Sequence, residues 1–278
     1  MRQPADQALL RLERGDQPLD PADLKSCCAS VYAQPAVRWL LGGELHPGGE
    51  RATRRALELI GLAPGDRLLD VASGTGASAL LAARELGATV TGVDFGADAV
   101  LAATAVAEAE GLEGRVEFIP GDAEALALPD RAFDAVLCEC SLCTFPDKPR
   151  AVAEMRRVLR PQGRVAISDV VIDPERLPEE LLGPIATVAC VGSALTRSGY
   201  EALLGEAGFE VFAVEDRRDD TAGFVERIEE RLRGARLLGV DAFPGSPFGI
   251  EEAIRLAGLA RRAIDDGAIG YAIFAASR

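Results

Sequence analysis

The sequence predicts an α/β fold: a mostly parallel seven-stranded sheet with helices on both faces and a helical N-terminal cap. Three observations predict it. Short apolar runs alternate with longer amphipathic ones from about residue 67 onward, which reads as strand and helix in turn. The short runs are apolar on both sides (Leu68, Leu69, Val71; Val90, Val93; Val136, Leu137; Val165, Ile167), as strands buried between two helical layers must be. The run Arg67-Leu-Leu-Asp-Val-Ala-Ser-Gly-Thr-Gly-Ala-Ser78 passes through an acid and a glycine turn into a helix, and the next apolar run ends in Asp94. That strand–turn–helix–strand order is a nucleotide-binding unit of the Rossmann-like kind.

The elements follow in order. Residues 1–60 read as the helical cap, with Pro21 opening a helix that carries Cys27 and Cys28. Leu45-His-Pro-Gly-Gly49 reads as a turn, and Glu50 to Ile60 as an amphipathic helix. Residues 61–278 form the ligand-binding domain. Its strands are expected at 67–72, 88–94, 115–119, 133–139, 163–169, 209–215 and 269–276. Helices are expected at about 76–87, 96–111, 148–160 and 198–207. A helical insertion at about 221–266 holds two helices separated by Pro244-Gly-Ser-Pro247.

Composition bounds the partners. A net charge of −14 repels nucleic acid and disfavours an anionic membrane surface. No run approaches the ~20 apolar residues of a membrane helix, and the N-terminus lacks an apolar signal core. A cytoplasmic chain with neither nucleic-acid nor membrane partner is the expectation. Six cysteines in a reducing compartment do not read as a disulfide framework. They lack paired C-x-x-C spacing, and with a single histidine a structural zinc site is disfavoured.

The glycine turn indicates the ligand. Without Cβ atoms, Gly74 and Gly76 let the backbone approach it closely. Asp70, just before the turn, would face a pyrophosphate unfavourably and suits a cation such as a sulfonium or ammonium group. Asp94 can accept hydrogen bonds from ribose hydroxyls. With the later Gly121-Asp122-Ala123, these features resemble the class I S-adenosylmethionine-dependent methyltransferases, whose D-x-x-x-G-x-G motif is Asp70 to Gly76 here. The resemblance implies that Asp70, Ser73, Gly74 and Gly76 hold the methionine end of S-adenosylmethionine. It implies that Asp94 and Phe95 meet the ribose, that Asp122 and Ala123 meet the adenine edge, and that Tyr32 closes over the methionine end. It also implies a last strand running antiparallel between strands five and six.

Ligands of open α/β sheets lie beyond the carboxyl ends of the strands. Cys140 and Cys143, at the exit of strand four, therefore stand where a methyl acceptor would sit, whereas Cys138 reads as a small buried hydrophobe. Here the chain resembles the arsenite methyltransferases. The residues that carry the likeness are Cys140-Ser-Leu-Cys-Thr-Phe-Pro146-Asp147-Lys148, Cys190-Val-Gly-Ser-Ala194 and Cys27-Cys28-Ala-Ser-Val-Tyr32. The likeness spans about residues 24–215. Cys143 is an addition to the family pattern, and residues 221–278 close the sheet where longer members carry a separate domain. The resemblance implies that Cys140 and Cys190 hold trivalent arsenic, with Cys28 or Cys143 as a third ligand or resolving thiol. A thiol or thioredoxin-type reductant would then be a partner.

The chemistry agrees with that implication. Arsenic(III) is soft and thiophilic. Bound by three thiolates it keeps a lone pair that can attack a sulfonium methyl, and no proton must leave the nucleophile. Positioning alone can then contribute about 7–11 kcal/mol at best. Two alternatives stand beside this reading: a small-molecule C- or O-methyltransferase with structural cysteines, and a non-enzymatic protein that binds thiophilic metalloids. Antimony, selenium and mercury share the acceptor chemistry. His46 reads as a base or a turn-capping residue, and Glu139 as a residue that orients a substrate.

Overall fold

The computed structural model describes residues 21–182, 190–242 and 249–278. Three helices open the described chain: α1 (Pro21–Ala33), α2 (Pro35–Leu41) and α3 (Gly49–Leu59). Alternation then begins with β1 (Arg67–Val71), α4 (Ala77–Leu86), β2 (Thr89–Asp94), α5 (Ala97–Ala109), β3 (Val116–Pro120) and β4 (Phe133–Glu139). It continues with α6 (Lys148–Val158), β5 (Leu159–Ile172), α7 (Arg197–Glu206) and β6 (Glu210–Asp216). The paired helices α8 (Arg218–Leu237) and α9 (Ile250–Asp265) precede β7 (Ile269–Ser277).

The seven strands form one sheet in the order β3-β2-β1-β4-β5-β7-β6. Strand pairs through β5 are parallel, and β7 runs antiparallel to both β5 and β6. The topology expected from sequence is therefore the one observed. Between β1 and β4 the winding reverses, which opens a crevice at their carboxyl ends.

The core lies on both faces of the sheet. Leu69, Val71, Val136, Val165 and Phe274 pack with Met155 of α6 and with Tyr200 and Leu204 of α7. Leu68, Val90, Leu137 and Ile273 point the other way, onto α3, α4 and α5. Adjacent residues of one strand thus feed opposite layers, as the pleat requires. Ala56, Leu57 and Ile60 belong to the second layer, so α3 is packed as part of the sheet's helical cover. α8 and α9 pack on one another through Leu232, Ala235 and Ile250, with Leu40 of α2 against them. No helix among the described residues is long and apolar enough to cross a membrane.

Candidate functional site

A cavity of about 530 Å³ opens at the crevice beyond β1, β2 and β4. Its floor is built by the glycine turn. Gly74 has φ 54°, and a Cβ there would lie 3.2 Å from Leu45 Cδ1. Gly76 caps α4 at φ 83°, where an added Cβ would run into the Phe118 ring. Gly76 is therefore required for helix entry and packing, and Gly74 is the glycine that meets the cavity.

Of the residues expected to bind cofactor, Tyr32, Asp70, Ser73, Gly74, Asp94, Phe95, Asp122 and Ala123 line this cavity. Asp70 is buried, and its Oδ2 has no partner. Burial raises its pKa well above the usual carboxylate value, and the charges of Glu139 and Asp94 add to the shift. A buried carboxylate with an unused oxygen and two acidic neighbours fits a cationic ligand, which supplies the missing partner. Ser73 Oγ is likewise buried and unpartnered. Asp94 accepts from Gly74 N at 2.8 Å and from Gly96 N at 2.7 Å. Each oxygen is held by one backbone donor and keeps capacity for a hydroxyl. These residues fit the sulfonium cofactor that the motif implies.

Asp122 is held by a lysine of the first described helix. Both its oxygens accept from Lys25 Nζ of α1, at 2.9 and 2.8 Å, and Glu124 Oε2 accepts from the same amine at 2.6 Å. The lysine is held despite the desolvation that opposes its charge, and its pKa is raised. Sequence reasoning missed Lys25. Its signal is helical spacing, since Lys25, Cys28, Ala29 and Tyr32 share one face of α1 and all line the cavity.

The thiols meet at the exit of β4. Cys140 Sγ lies 3.9 Å from Cys190 Sγ. Cys143 is fully buried in the short 3₁₀ turn Leu142–Thr144 and packs in the same buried cluster as Cys190. Tyr32 Oη lies 3.5 Å from Cys190 Sγ. Hydrogen bonds from Cys140, then Cys143 and Tyr32, hold the Cys190 thiol well below its ordinary pKa, and the charge of Lys148 adds to them. Its partners are pushed the other way: Cys140 by its bond to Cys190 and by burial, Cys143 chiefly by burial. Cys190 Sγ also lies 3.5 Å from Cys140 O, to which its thiol can donate. Among the described residues, no group of three or more His, Cys, Asp or Glu is arranged around a common metal position. The sulfurs would have to draw inward to share a ligand.

Five described non-glycine residues have a positive φ, and two of them are these cysteines. Cys140 has φ 48° and Cys190 φ 64°, in the left-handed region that non-glycine residues seldom occupy. Such strain costs about 1–3 kcal/mol per residue and concentrates at functional sites. Cys28 is buried on α1 and lines the cavity, and the side chain of Cys27 lies outside the described residues. Cys138 is fully buried in the core, as its place in the strand predicts.

Two further groups frame the cluster, and sequence reading assigned a role to neither. Asp169, within β5, is fully buried and accepts from Cys143 N at 2.8 Å. Burial, with the negative Cys190 nearby, pushes it up to about 7. Lys148 is the first residue of α6, after Asp147 caps that helix by accepting from Arg150 N at 3.0 Å. The Pro-Asp-Lys run is thus a helix start that brings a cation toward the thiols. Burial lowers the pKa of this lysine, and the charges of Cys143 and Asp169 support it.

On the opposite wall Glu139 accepts from Ser78 Oγ at 2.6 Å, Thr53 Oγ1 at 3.0 Å and Ser168 Oγ at 3.2 Å. His46 Nε2 lies 3.7 Å from Glu139 Oε2, and its Nδ1 lies 3.2 Å from Pro47 O. Both His46 and Glu139 line the cavity.

Residues 62–195 match a protein family described as a methyltransferase domain. The chain is 33% identical over 179 residues to methyltransferase GfsG of Streptomyces halstedii, covering 64% of each chain. It is 35% identical over 162 residues to an arsenite methyltransferase of Halobacterium salinarum, covering 58% of this chain and 41% of that one. It is 30% identical over 237 residues to 27-O-demethylrifamycin SV methyltransferase of Amycolatopsis mediterranei, covering 82% and 83% of the two chains. The chain therefore spans about two thirds or less of the first two of these proteins and most of the third. Among solved structures it is similar to the [4+2]-cyclase SpnF, with TM-score 0.72, 27% identity, and coverage of 92% of this chain and 96% of that one. A fold of this kind hosts more than one chemistry, so the acceptor must be argued from the site. With the sheet order, the glycine turn and its acids in place, the chain belongs to the class I S-adenosylmethionine-dependent methyltransferases.

Proposed function

We propose that this chain transfers a methyl group from S-adenosylmethionine to trivalent arsenic held by cysteine sulfurs. The apposition of Cys140 and Cys190, with Cys143 in the same buried cluster, carries the reading. Bound S-adenosylmethionine supplies an electrophilic methyl on a cationic sulfur. Asp70, with its unused oxygen, balances the ligand's positive charge, and Asp94 fixes the ribose. Arsenite exchanges its hydroxides for thiolates, and the thiol protons leave with them as water. The low-pKa sulfur of Cys190 is the first ligand, and Cys140, at the cavity wall, and Cys143, behind it, complete the set. Cys143 takes the third place because it packs in one buried cluster with Cys190 and Cys140, which leaves Cys28 as a thiol of the cap wall. The arsenic lone pair then faces the cavity and needs no general base. A thiol reductant returns any oxidised cysteine to the free form.

The test is direct. Protein, cofactor, a thiol reductant and arsenite are incubated, and methylated arsenic is sought by chromatography with element-specific detection. Cys140→Ser and Cys190→Ser should each abolish the product while cofactor binding stays near wild type. Near-normal methylation by either variant removes that cysteine from the ligand set.

A second reading, methyl transfer to an organic hydroxyl, is favoured by the His46–Glu139 pair in the cavity wall. It predicts that the two serine variants stay active on that acceptor and that His46→Gln does not.

A further inference from the structure

We infer that Asp70 keeps a proton in the protein without cofactor and releases it to solvent when a cationic group of the cofactor arrives beside it, so that the site tells charged from uncharged adenosine ligands by a proton as well as by contact. The inference needs the cofactor but no particular acceptor.

Three acids meet at the carboxyl ends of β1, β2 and β4, and Asp70, Asp94 and Glu139 all line the cavity. They are not equivalent. Asp94 is held by the backbone N–H groups of Gly74 and Gly96. Glu139 accepts from three hydroxyls, those of Ser78, Thr53 and Ser168. Asp70 is only 3% exposed, and its Oδ2 has no partner. Donors favour the charged form of a carboxyl group, and burial disfavours it. Where three such groups share one site, the proton settles on the one with an unmet oxygen, which is Asp70.

The surroundings agree. The charged neighbours that bear on Asp70 are both acids, Glu139 from β4 and Asp94 from β2, and only the Ala79 N–H at the start of α4 favours its ionisation. The Cys138 thiol, pushed up by burial, stays neutral beside it. The basic residues of the cavity wall are placed elsewhere. Lys25 spans Asp122 and Glu124, His46 stands 3.7 Å from Glu139, and Arg38 is exposed. An opposite charge within about 4–6 Å reverses the balance and favours the carboxylate. The proton then passes through the cavity to the buffer, and the carboxylate stays paired with the incoming cation. S-adenosylmethionine offers two such cations, its sulfonium and its ammonium. The demethylated product, S-adenosylhomocysteine, keeps only the ammonium, and 5′-methylthioadenosine has neither.

The experiment is calorimetry of binding between about pH 5 and pH 8, in buffers of different ionisation enthalpy, which yields the protons released per ligand bound. Within that range the wild type should release up to about one proton on binding S-adenosylmethionine and essentially none on binding 5′-methylthioadenosine. S-adenosylhomocysteine identifies the cation: release with it assigns the ammonium, and release only with S-adenosylmethionine assigns the sulfonium. Across the range of release, the dissociation constant of S-adenosylmethionine should fall by up to about tenfold per pH unit as pH rises. Asp70→Asn, nearly the same shape and never charged, should bind without release and with an affinity that pH no longer moves. Glu139→Gln should shift the release to lower pH, because one repelling charge is gone. The wild-type measurement stands without either variant. Binding of S-adenosylmethionine with no proton released anywhere in that range overturns the inference, as does equal release with 5′-methylthioadenosine or undiminished release by a folded Asp70→Asn protein.

Discussion

Asp94 has two possible employments, and one substitution separates them. Its oxygens accept from the backbone N–H groups of Gly74 and Gly96, so it staples the glycine turn to the exit of β2 whether or not a ligand binds. The cofactor role adds hydrogen bonds to ribose hydroxyls. Asp94→Ala removes both. Leaving two part-buried N–H groups without an acceptor costs about 1–3 kcal/mol each, which lowers the melting temperature. Loss of a hydrogen bond to a charged acceptor costs a further 1.5–3 kcal/mol, roughly, in binding. The dissociation constant of S-adenosylhomocysteine should therefore rise by about 10- to 150-fold at 25 °C. Calorimetry on protein confirmed as folded by circular dichroism measures the second quantity, and thermal denaturation the first. A lowered melting temperature with affinity within about threefold of wild type would refute the cofactor role and leave Asp94 as a staple only.

Other outcomes follow from the same geometry. Cys143→Ser should weaken arsenite binding more than Cys28→Ser, read by tryptophan fluorescence, because Cys143 packs in one buried cluster with Cys190; the reverse order would move the third ligand onto the cap. Asp169, held up to about 7 by burial, keeps its proton in the folded state where the unfolded chain has released it near pH 4. The folded state then binds more protons between those values, so that contribution to stability is full below about pH 4 and is lost as pH rises toward 7. Asp169→Asn, uncharged throughout, should gain melting temperature over wild type as pH goes from 5 to 8, and a constant difference would show that Asp169 does not titrate there. Lys148→Met should raise the pKa of Cys190, followed by thiolate ultraviolet absorbance, since Lys148 charge is one of the groups that lower it; an unmoved titration would leave the neighbouring thiols and Tyr32 as the sole cause.

Much of this molecule is legible in its sequence. The strand pattern marks the central strands of a sheet covered on both faces, because such strands must be apolar at consecutive positions, and Leu68 and Leu69 do feed opposite layers. The glycine turn is legible because backbone at positive φ selects glycine. Asp70 and Asp94 are legible because an acid at a strand exit faces the crevice. These signals are local, carried by residues within a few positions of one another. What brings the thiols and the cap together is not local. Cys140 and Cys190 meet across 50 residues, Lys25 and Asp122 across 97, and Tyr32 and Cys190 across 158. Asp169 acquires its character only from the burial that folding gives it. The two strained cysteines carry no sequence signal, since nothing in the residue type announces a left-handed φ. Sequence alone determined the sheet and the cofactor motif, because periodicity and glycine stereochemistry are written along the chain. The tertiary structure alone decided which thiols share a centre and what fastens the cap above them, because those contacts exist only once distant segments are brought to the same strand ends.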